Sequence, residues 1–245
     1  MSEIRLLEGE KYRIIEGDCF TELRRLPDNS VDLILTDPPY NLSQYSSGNM
    51  KFDWRSEINN NIADWDKKVL KPSDLIDEFK RVLSPKGNIF IFCSYNLIGD
   101  YHKVFDSEFD TFQFMVWHKT NPIPNIRKSS FLNSVELIVC CWNKGHTWNF
   151  SKQNEMHNFF ESSICMGKER IKNNDGKNAH PTQKPVKLLE HIIKIASNEN
   201  DIVLDCFNGV GSTGEACLNL NRRYIGIEID KEYIDLTKKR LQNIK

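Results

Sequence analysis

The 245-residue chain contains no apolar run approaching the roughly 18 residues that cross a bilayer. Its first residues, Met1-Ser2-Glu3-Ile4-Arg5, lack the basic-then-apolar pattern of a secretory signal. Both absences point to a cytoplasmic protein and away from the membrane. None of the seven cysteines (19, 93, 140, 141, 165, 206 and 217) forms a C-x-x-C pair, and their number is odd. That argues against a disulfide scaffold and a zinc site; several lie in apolar, strand-like runs, so reduced and buried thiols are expected and no metal is. Charge of one sign is not in excess: 33 Lys+Arg against 34 Asp+Glu leave a net −1, which disfavours a uniformly basic nucleic-acid binder. Neither an internal repeat nor a low-complexity linker breaks the chain, so a single domain over 1–245 is expected.

What is present is an alternation of apolar strand-like runs and amphipathic helical ones. Strands are predicted over Tyr12–Glu16, Val31–Thr36, Asn88–Cys93, Phe112–Trp117, Val135–Trp142, Ile202–Asp205 and Tyr224–Ile229. Helices are predicted over Phe20–Leu26, Pro72–Leu83, Leu97–Phe105, Pro185–Ala196, Gly214–Leu220 and Lys231–Leu241. Val31–Thr36 and Asn88–Cys93 are apolar on both faces, as strands covered on both sides by helices must be. The pattern predicts an α/β fold with a doubly wound, mostly parallel sheet. Residues 41–62 are polar and carry Gly48 and the run Asn59-Asn60-Asn61, which reads as a mobile loop. Residues 143–178 lose periodicity and read as a small basic insertion. From His118 to Lys187 eleven basic residues face five acidic ones, a local excess of six positive charges hidden by the neutral average. Clustered cations of this kind suit phosphate contact.

Two short motifs carry chemistry, and each follows a predicted strand. After Ile202–Asp205 comes Phe207-Asn208-Gly209-Val210-Gly211-Ser212-Thr213-Gly214. Glycines permit a tight turn and close approach of backbone to a ligand, and Glu228, at the end of the next strand, can accept hydrogen bonds from ribose hydroxyls. Asp205-Cys206-Phe207-Asn208 stand before the first glycine, and Asp205 puts a carboxylate beside the loop. An acid there repels a pyrophosphate and suits a cationic ligand, which disfavours a nicotinamide cofactor. After Val31–Thr36 comes Asp37-Pro38-Pro39-Tyr40. Consecutive prolines make a stiff corner. An exocyclic amine on an aromatic base is a poor nucleophile because its lone pair is delocalised. The Asp37 carboxylate and the Pro38 carbonyl can take its two hydrogens and localise that pair, while Tyr40 stacks on the base.

With His180-Pro181-Thr182-Gln183-Lys184-Pro185 and Gly17-Asp18-Cys19, these segments resemble the amino-methyltransferases of DNA. Asp37-Pro38-Pro39-Tyr40 is similar to the target-amine motif of that family, Phe207-Asn208-Gly209-Val210-Gly211 to its cofactor loop, and the His180–Pro185 segment to the run bordering the methionine end of the cofactor. The target motif precedes the cofactor motif, the β-type order. Phe90–Tyr95 and Trp117–Pro122 add likeness to small bacterial members from restriction–modification systems. Cys206 departs from the pattern, standing where members often have Pro; it is expected to affect packing alone.

The resemblance implies a Rossmann-like class I methyltransferase fold with 143–178 as a target-recognition insertion. It implies S-adenosylmethionine as methyl donor, S-adenosylhomocysteine as product and no metal. The Asp form of the motif goes with adenine N6, methylated after base flipping; cytosine N4 and a catalytically silent binding subunit are the alternatives. The implied catalytic residues are Asp37, Pro38, Pro39 and Tyr40. Cofactor contacts are expected from Asp18, Cys19, Asp37, His180, Thr182, Lys184, Pro185, Asp205, Phe207, Asn208, Gly209, Gly211, Ser212, Thr213, Glu228 and Asp230. DNA contacts are expected from Asn125, Arg127, Lys128, Lys168 and Arg170. Double-stranded DNA, with single-stranded DNA as an alternative substrate, a homodimeric partner and a cognate restriction endonuclease complete the expectation.

Overall fold

The computed structural model describes residues 4, 6, 9–39, 50–52, 55–58, 70–125 and 128–244. Tyr40, Arg127 and most of the expected 41–62 loop lie outside the described residues.

Among the described residues, ten strands and six α-helices form in the order β1 (Tyr12–Glu16), α1 (Cys19–Leu23), β2 (Val31–Thr36), β3 (Met50–Phe52), β4 (Arg55–Ile58), α2 (Ile76–Val82), β5 (Leu83–Cys93), α3 (Ile98–Phe105), β6 (Thr111–Lys119), β7 (Val135–Trp142), β8 (Phe159–Ser162), α4 (Val186–Ala196), β9 (Ile202–Asp205), α5 (Ser212–Asn219), β10 (Arg223–Glu228) and α6 (Lys231–Gln242). Eight of the strands make one sheet, ordered β1-β10-β9-β2-β5-β7-β6-β8; β3 and β4 pair separately. β7 runs antiparallel to both neighbours, and the other strands of that sheet share one direction. The expected largely parallel sheet is therefore mixed by one reversed strand.

Strand alternation divides the core. Ile34, Ile89, Ile91, Val139, Leu204 and Ile225 face α1, α2 and α3, where Leu23, Phe79, Tyr101 and Phe105 close one layer. Leu33, Leu35, Phe90, Phe92, Trp117, Val203 and Tyr224 face α4, α5 and α6, packed on Leu188, Ile192, Ala216 and Leu241. A one-residue slip in β2 would exchange both faces, which fixes its register.

Two expectations need correction. The predicted break between a helix ending at Leu83 and a strand starting at Asn88 does not form: β5 already begins at Leu83, which pairs with Val31, and the register shifts between Val31 and Leu33. Gly87 permits the close approach there, since a Cβ on it would lie 2.5 Å from Leu83 Cδ1 and 3.1 Å from the Asp32 carbonyl. Nor is 143–178 wholly irregular: Phe159–Ser162 adds to β6 as the parallel edge strand β8. All seven cysteines are free and buried, and no helix among the described residues is long and apolar enough to cross a membrane.

Candidate active site

β2 and β9 are neighbours, and the chain leaves them in opposite directions across the sheet, from β2 toward β5 and from β9 toward β10. Their carboxyl ends therefore border the crevice in which open α/β sheets take ligands. Asp37, Pro38 and Pro39 follow β2, and the glycine loop follows β9.

The two ends are stitched together through Asp205. Thr36 Oγ1 donates to Asp205 Oδ1 (2.7 Å), Thr213 Oγ1 donates to Oδ2 (2.7 Å), and the Phe207 amide donates to Oδ1 (3.1 Å). Asp205 is 3% exposed. Burial pushes its carboxyl up to about 6, against these three hydrogen bonds, which act to lower it. The acid expected to greet a cationic ligand is turned inward as a strut, and its charge reaches the crevice only through space.

The loop is built around missing Cβ atoms. Gly209 has φ +52° and Gly211 φ +75°. A Cβ on Gly211 would lie 2.7 Å from Thr237 Cγ2, and one on Gly209 3.3 Å from His180 Nε2. Asn208 also faces inward: its Nδ2 donates to Thr237 Oγ1 (2.9 Å) and its Oδ1 accepts from the Tyr224 hydroxyl (2.9 Å). Ser212 Oγ accepts from Arg240 Nη1 at 3.1 Å. Phe207 is half-buried.

Glu228, at the end of β10, is locked beside this loop. Its Oε2 accepts from the Gly209 amide (2.7 Å) and its Oε1 from the amides of Ile229 and Asp230 (both 2.9 Å). Burial raises its pKa, opposed by those amides. Asp230 caps α6 through Oδ1, which accepts from the Glu232 amide at 2.8 Å. Asp18, exposed at the end of β1, caps α1 and accepts from the Thr21 amide (3.2 Å); Cys19 beside it is buried.

From the other side comes His180–Pro185. The His180 ring packs on Tyr233 with centroids 5.1 Å apart, and its Nδ1 accepts from the Thr182 amide (3.3 Å). Burial, then the charges of Lys184 and Arg170, lower its pKa to about 3, so the ring is neutral at physiological pH. Thr182 is exposed, whereas Pro185 is buried as the N-cap of α4.

Lys184 is buried, 6% exposed. Its ammonium bonds Asp37 Oδ2, lies 3.3 Å from Glu136 Oε2 and sits 4.9 Å from the centroid of Phe92. Glu136 Oε1 in turn holds Lys119 Nζ at 2.7 Å. Burial acts to lower the Lys184 pKa, but the carboxylates of Asp37 and Glu136 outweigh it and raise it. Burial acts to raise that of Glu136, but Lys184 and Lys119 bring it down. Lys119–Glu136–Lys184–Asp37 is thus a chain of alternating charge running from β6 and β7 to the corner after β2.

This chain corrects the picture of a basic face over 118–187, because Lys119 and Lys184 are spent inside the protein. Arg170, expected to contact DNA, donates instead to the main-chain oxygens of His180 and Pro181 and fastens that segment. Asn125 Nδ2 donates to the Ser130 carbonyl (2.9 Å) and hydroxyl (2.8 Å), holding a turn. Lys128 and Lys168 are exposed. Glu136 escaped the sequence reading; its signal is a lone carboxylate in the apolar run Val135–Trp142, a burial that requires a partner.

A family model of DNA methylases matches residues 31–239. The chain belongs to the DNA methylase family. It is 35% identical over 253 residues to the type II methyltransferase M.HinfI of Haemophilus influenzae, covering 95% of this chain and 68% of that protein. It is 32% identical over 248 residues to the type II methyltransferase M2.LlaDCHI of Lactococcus lactis subsp. cremoris, covering 96% and 90%. The crystal structure of the M1.HpyAVI–SAM complex superposes with a TM-score of 0.64 at 30% identity, covering 94% of this chain and 99% of that one. The cytosine-N4-specific PvuII DNA methyltransferase, at 19% identity, shares the fold with a TM-score of 0.69, covering 97% and 92%.

This DNA methylase is accordingly a methyltransferase of the restriction–modification type, with a Rossmann-like class I fold, S-adenosylmethionine as cofactor and DNA as substrate. The crevice fits that cofactor chemically: glycines without Cβ leave room for close backbone approach, and an anchored carboxylate stands alongside for hydroxyl groups. Among the described residues no group of three His, Cys, Asp or Glu side chains is placed to hold a metal ion.

Proposed function

We propose that this DNA methylase methylates the N6 amine of adenine, with Asp37 and the Pro38 carbonyl as acceptors of the two amine hydrogens. The observation that carries the reading is the position of Asp37 at the end of β2, directly across the β2–β9 switch point from the glycine loop. The Asp form of the target motif favours adenine over cytosine, and the buried Pro38 holds the carbonyl acceptor on a backbone with little freedom.

Bound S-adenosylmethionine supplies an electrophilic methyl group on a sulfonium centre. Gly209 and Gly211 let the backbone approach the nucleoside, and Glu228 accepts from its ribose hydroxyls. His180, neutral, and Pro185 border the amino-acid end. Tyr40 stacks on the adenine once it has left the helix, because a stacked and paired amine is out of reach of the donor. Asp37 and Pro38 would draw the two amine hydrogens toward themselves and so free the lone pair on nitrogen. As positive charge grows on nitrogen these acceptors bind it more strongly, which is the differential stabilisation that lowers a barrier. The released proton leaves to Asp37 or to water.

Asp37→Ala should retain cofactor binding and lose methyl transfer by at least about a hundredfold, roughly 2.7 kcal/mol of barrier. The assay is transfer of tritiated methyl to DNA lacking adenine methylation, followed by nucleoside analysis. Label recovered as N4-methylcytosine would reject adenine as the target, and near-normal turnover by Asp37→Ala would reject the acceptor role.

A further inference from the structure

The catalytic corner does not stand alone. Lys184 reaches Asp37 from a different part of the chain, and Glu136 lies 3.3 Å behind the same ammonium on β7. The three side chains are largely withdrawn from water, with 21%, 7% and 18% of the side chains of Asp37, Lys184 and Glu136 exposed. Glu136 Oε2 is buried and makes no well-aligned hydrogen bond, although the ammonium is within ion-pair range. The Lys184 ammonium is drawn between two carboxylates, and the one behind it, Glu136, is itself anchored by Lys119.

We propose that Glu136 is a positioning residue for methyl transfer, acting through Lys184 to hold the Asp37 carboxylate in its working orientation. The inference rests on the reading of Asp37 as an acceptor of the target amine. Glu136 touches neither cofactor nor base in this scheme. Its two effects are geometric, by fixing the ammonium that fixes Asp37, and electrostatic, by cancelling a positive charge that would otherwise stand beside the amine on which positive charge grows. An uncancelled Lys184 charge would oppose the positive charge developing on the amine.

The Lys184 ammonium also provides a titration signature. Among the described residues, the titratable groups that act on it are Asp37 after β2, Glu136 on β7, Cys165 in the segment after β8 and His180 ahead of α4, while Cys93 on β5 and Lys119 on β6 act on its carboxylates and Arg170 acts on Cys165 and His180. Asp37 and Glu136 are the acids that raise its pKa. Removing the Glu136 charge leaves the burial penalty in place and takes away one of the two groups that oppose it, so the ammonium loses its proton at lower pH.

The test compares wild type, Glu136→Gln, Lys184→Met and the double variant, with Asp37→Ala as reference. Glu136→Gln should lower kcat about tenfold or more while KM for cofactor and DNA change no more than about twofold. The alkaline limb of its kcat–pH profile should move to lower pH, which a merely structural role would not produce. In the Lys184→Met background the Glu136→Gln change should add no further loss of kcat, because the residue through which it acts is gone. Should Glu136→Gln melt below the assay temperature, Glu136→Asp decides the matter. It keeps the charge at shorter reach and should lower kcat less while moving the alkaline limb in the same direction. An unchanged kcat and pH profile in the Glu136 variant, with Asp37→Ala inactive, would overturn the positioning role alone. So would a full further loss in the double variant. Normal turnover by Asp37→Ala would instead overturn the acceptor reading on which both rest.

Discussion

Single residues in this site are constrained by what surrounds them, and His180 is the plainest case. The folded protein keeps the ring neutral down to about pH 3, whereas an unfolded chain takes up the proton at about pH 6.5. The unfolded state therefore binds more protons between those values. Stability that is present above pH 6.5 is lost as the pH falls toward 3. Melting temperature measured from pH 7 to 5 should fall in wild type and fall less steeply in His180→Gln; parallel curves would reject the assignment. Gly211 is constrained by backbone and by space together. Its φ of +75° disfavours any Cβ, and the nearest atom such a Cβ would meet belongs to Thr237, which is fully buried and whose hydroxyl donates to the Gly209 carbonyl at 3.1 Å. Gly211→Ala should cost about 1–3 kcal/mol in urea denaturation without any ligand present and should weaken cofactor binding by calorimetry. Gly145, at φ +83° with nothing within 4 Å of its missing Cβ, separates the two effects. Its Ala variant should show the backbone penalty only.

At the scale of elements, the joint between β2, β9 and α5 is a buried carboxyl held by two threonines. Because burial raises Asp205 from 3.8 to about 6, the folded state binds a proton more readily than the unfolded chain across that interval. Stability contributed by this group is thus present at low pH and lost as the pH rises through the window, opposite in sign to His180, and the rise amounts to about 3 kcal/mol. Asp205→Asn keeps the shape and deletes the charge. Its melting temperature should gain on that of wild type as the pH rises from 4 to 6, and an unchanged difference across that range would remove Asp205 as the cause. Most of these elements were readable in the sequence, because strands apolar on both faces and helices apolar on one leave strong periodic signals. β8 was not: its residues alternate between exposed and half-buried at an edge, and Phe159–Ser162 is too short to stand out from polar surroundings. The early start of β5 was masked by Pro85 and Gly87, which read as a stop but sit where the register shifts. The corner after β2 and the glycine loop were legible because their chemistry is local. The pairing of Lys184 with Glu136 and Asp37 was not, because only the sheet brings those three segments together.

At the scale of the whole molecule, strand direction sorts the basic residues by the end of the sheet they occupy. β6 runs with β2, so the connection from Lys119 to Val135 lies at the crevice end, as does the segment that follows β8. β7 runs the other way, so residues 143–158, between β7 and β8, return along the opposite end. The stretch expected as one recognition insertion is therefore split, and only its second half shares the end of the sheet with Asp37. Lys128, Lys168, Lys172 and Lys177 are exposed at that end, while Lys144 and Lys152 belong to the far segment, where Lys152 also pairs with Glu155 at 3.1 Å. If Asp37 receives a flipped base as proposed, the DNA lies over the crevice and its phosphates are expected to meet the first set. Each phosphate contact releases counterions, and the loss of one lowers the slope of log affinity against log salt by about 0.9. Combined replacement of Lys168, Lys172 and Lys177 by Gln should weaken DNA binding and flatten that slope, measured by fluorescence anisotropy at several salt concentrations. Replacement of Lys144 and Lys152 should leave it unchanged. Equal slopes for the two variants would mean that the DNA does not approach over the carboxyl ends of the strands, and the crevice could not then be where the base is received.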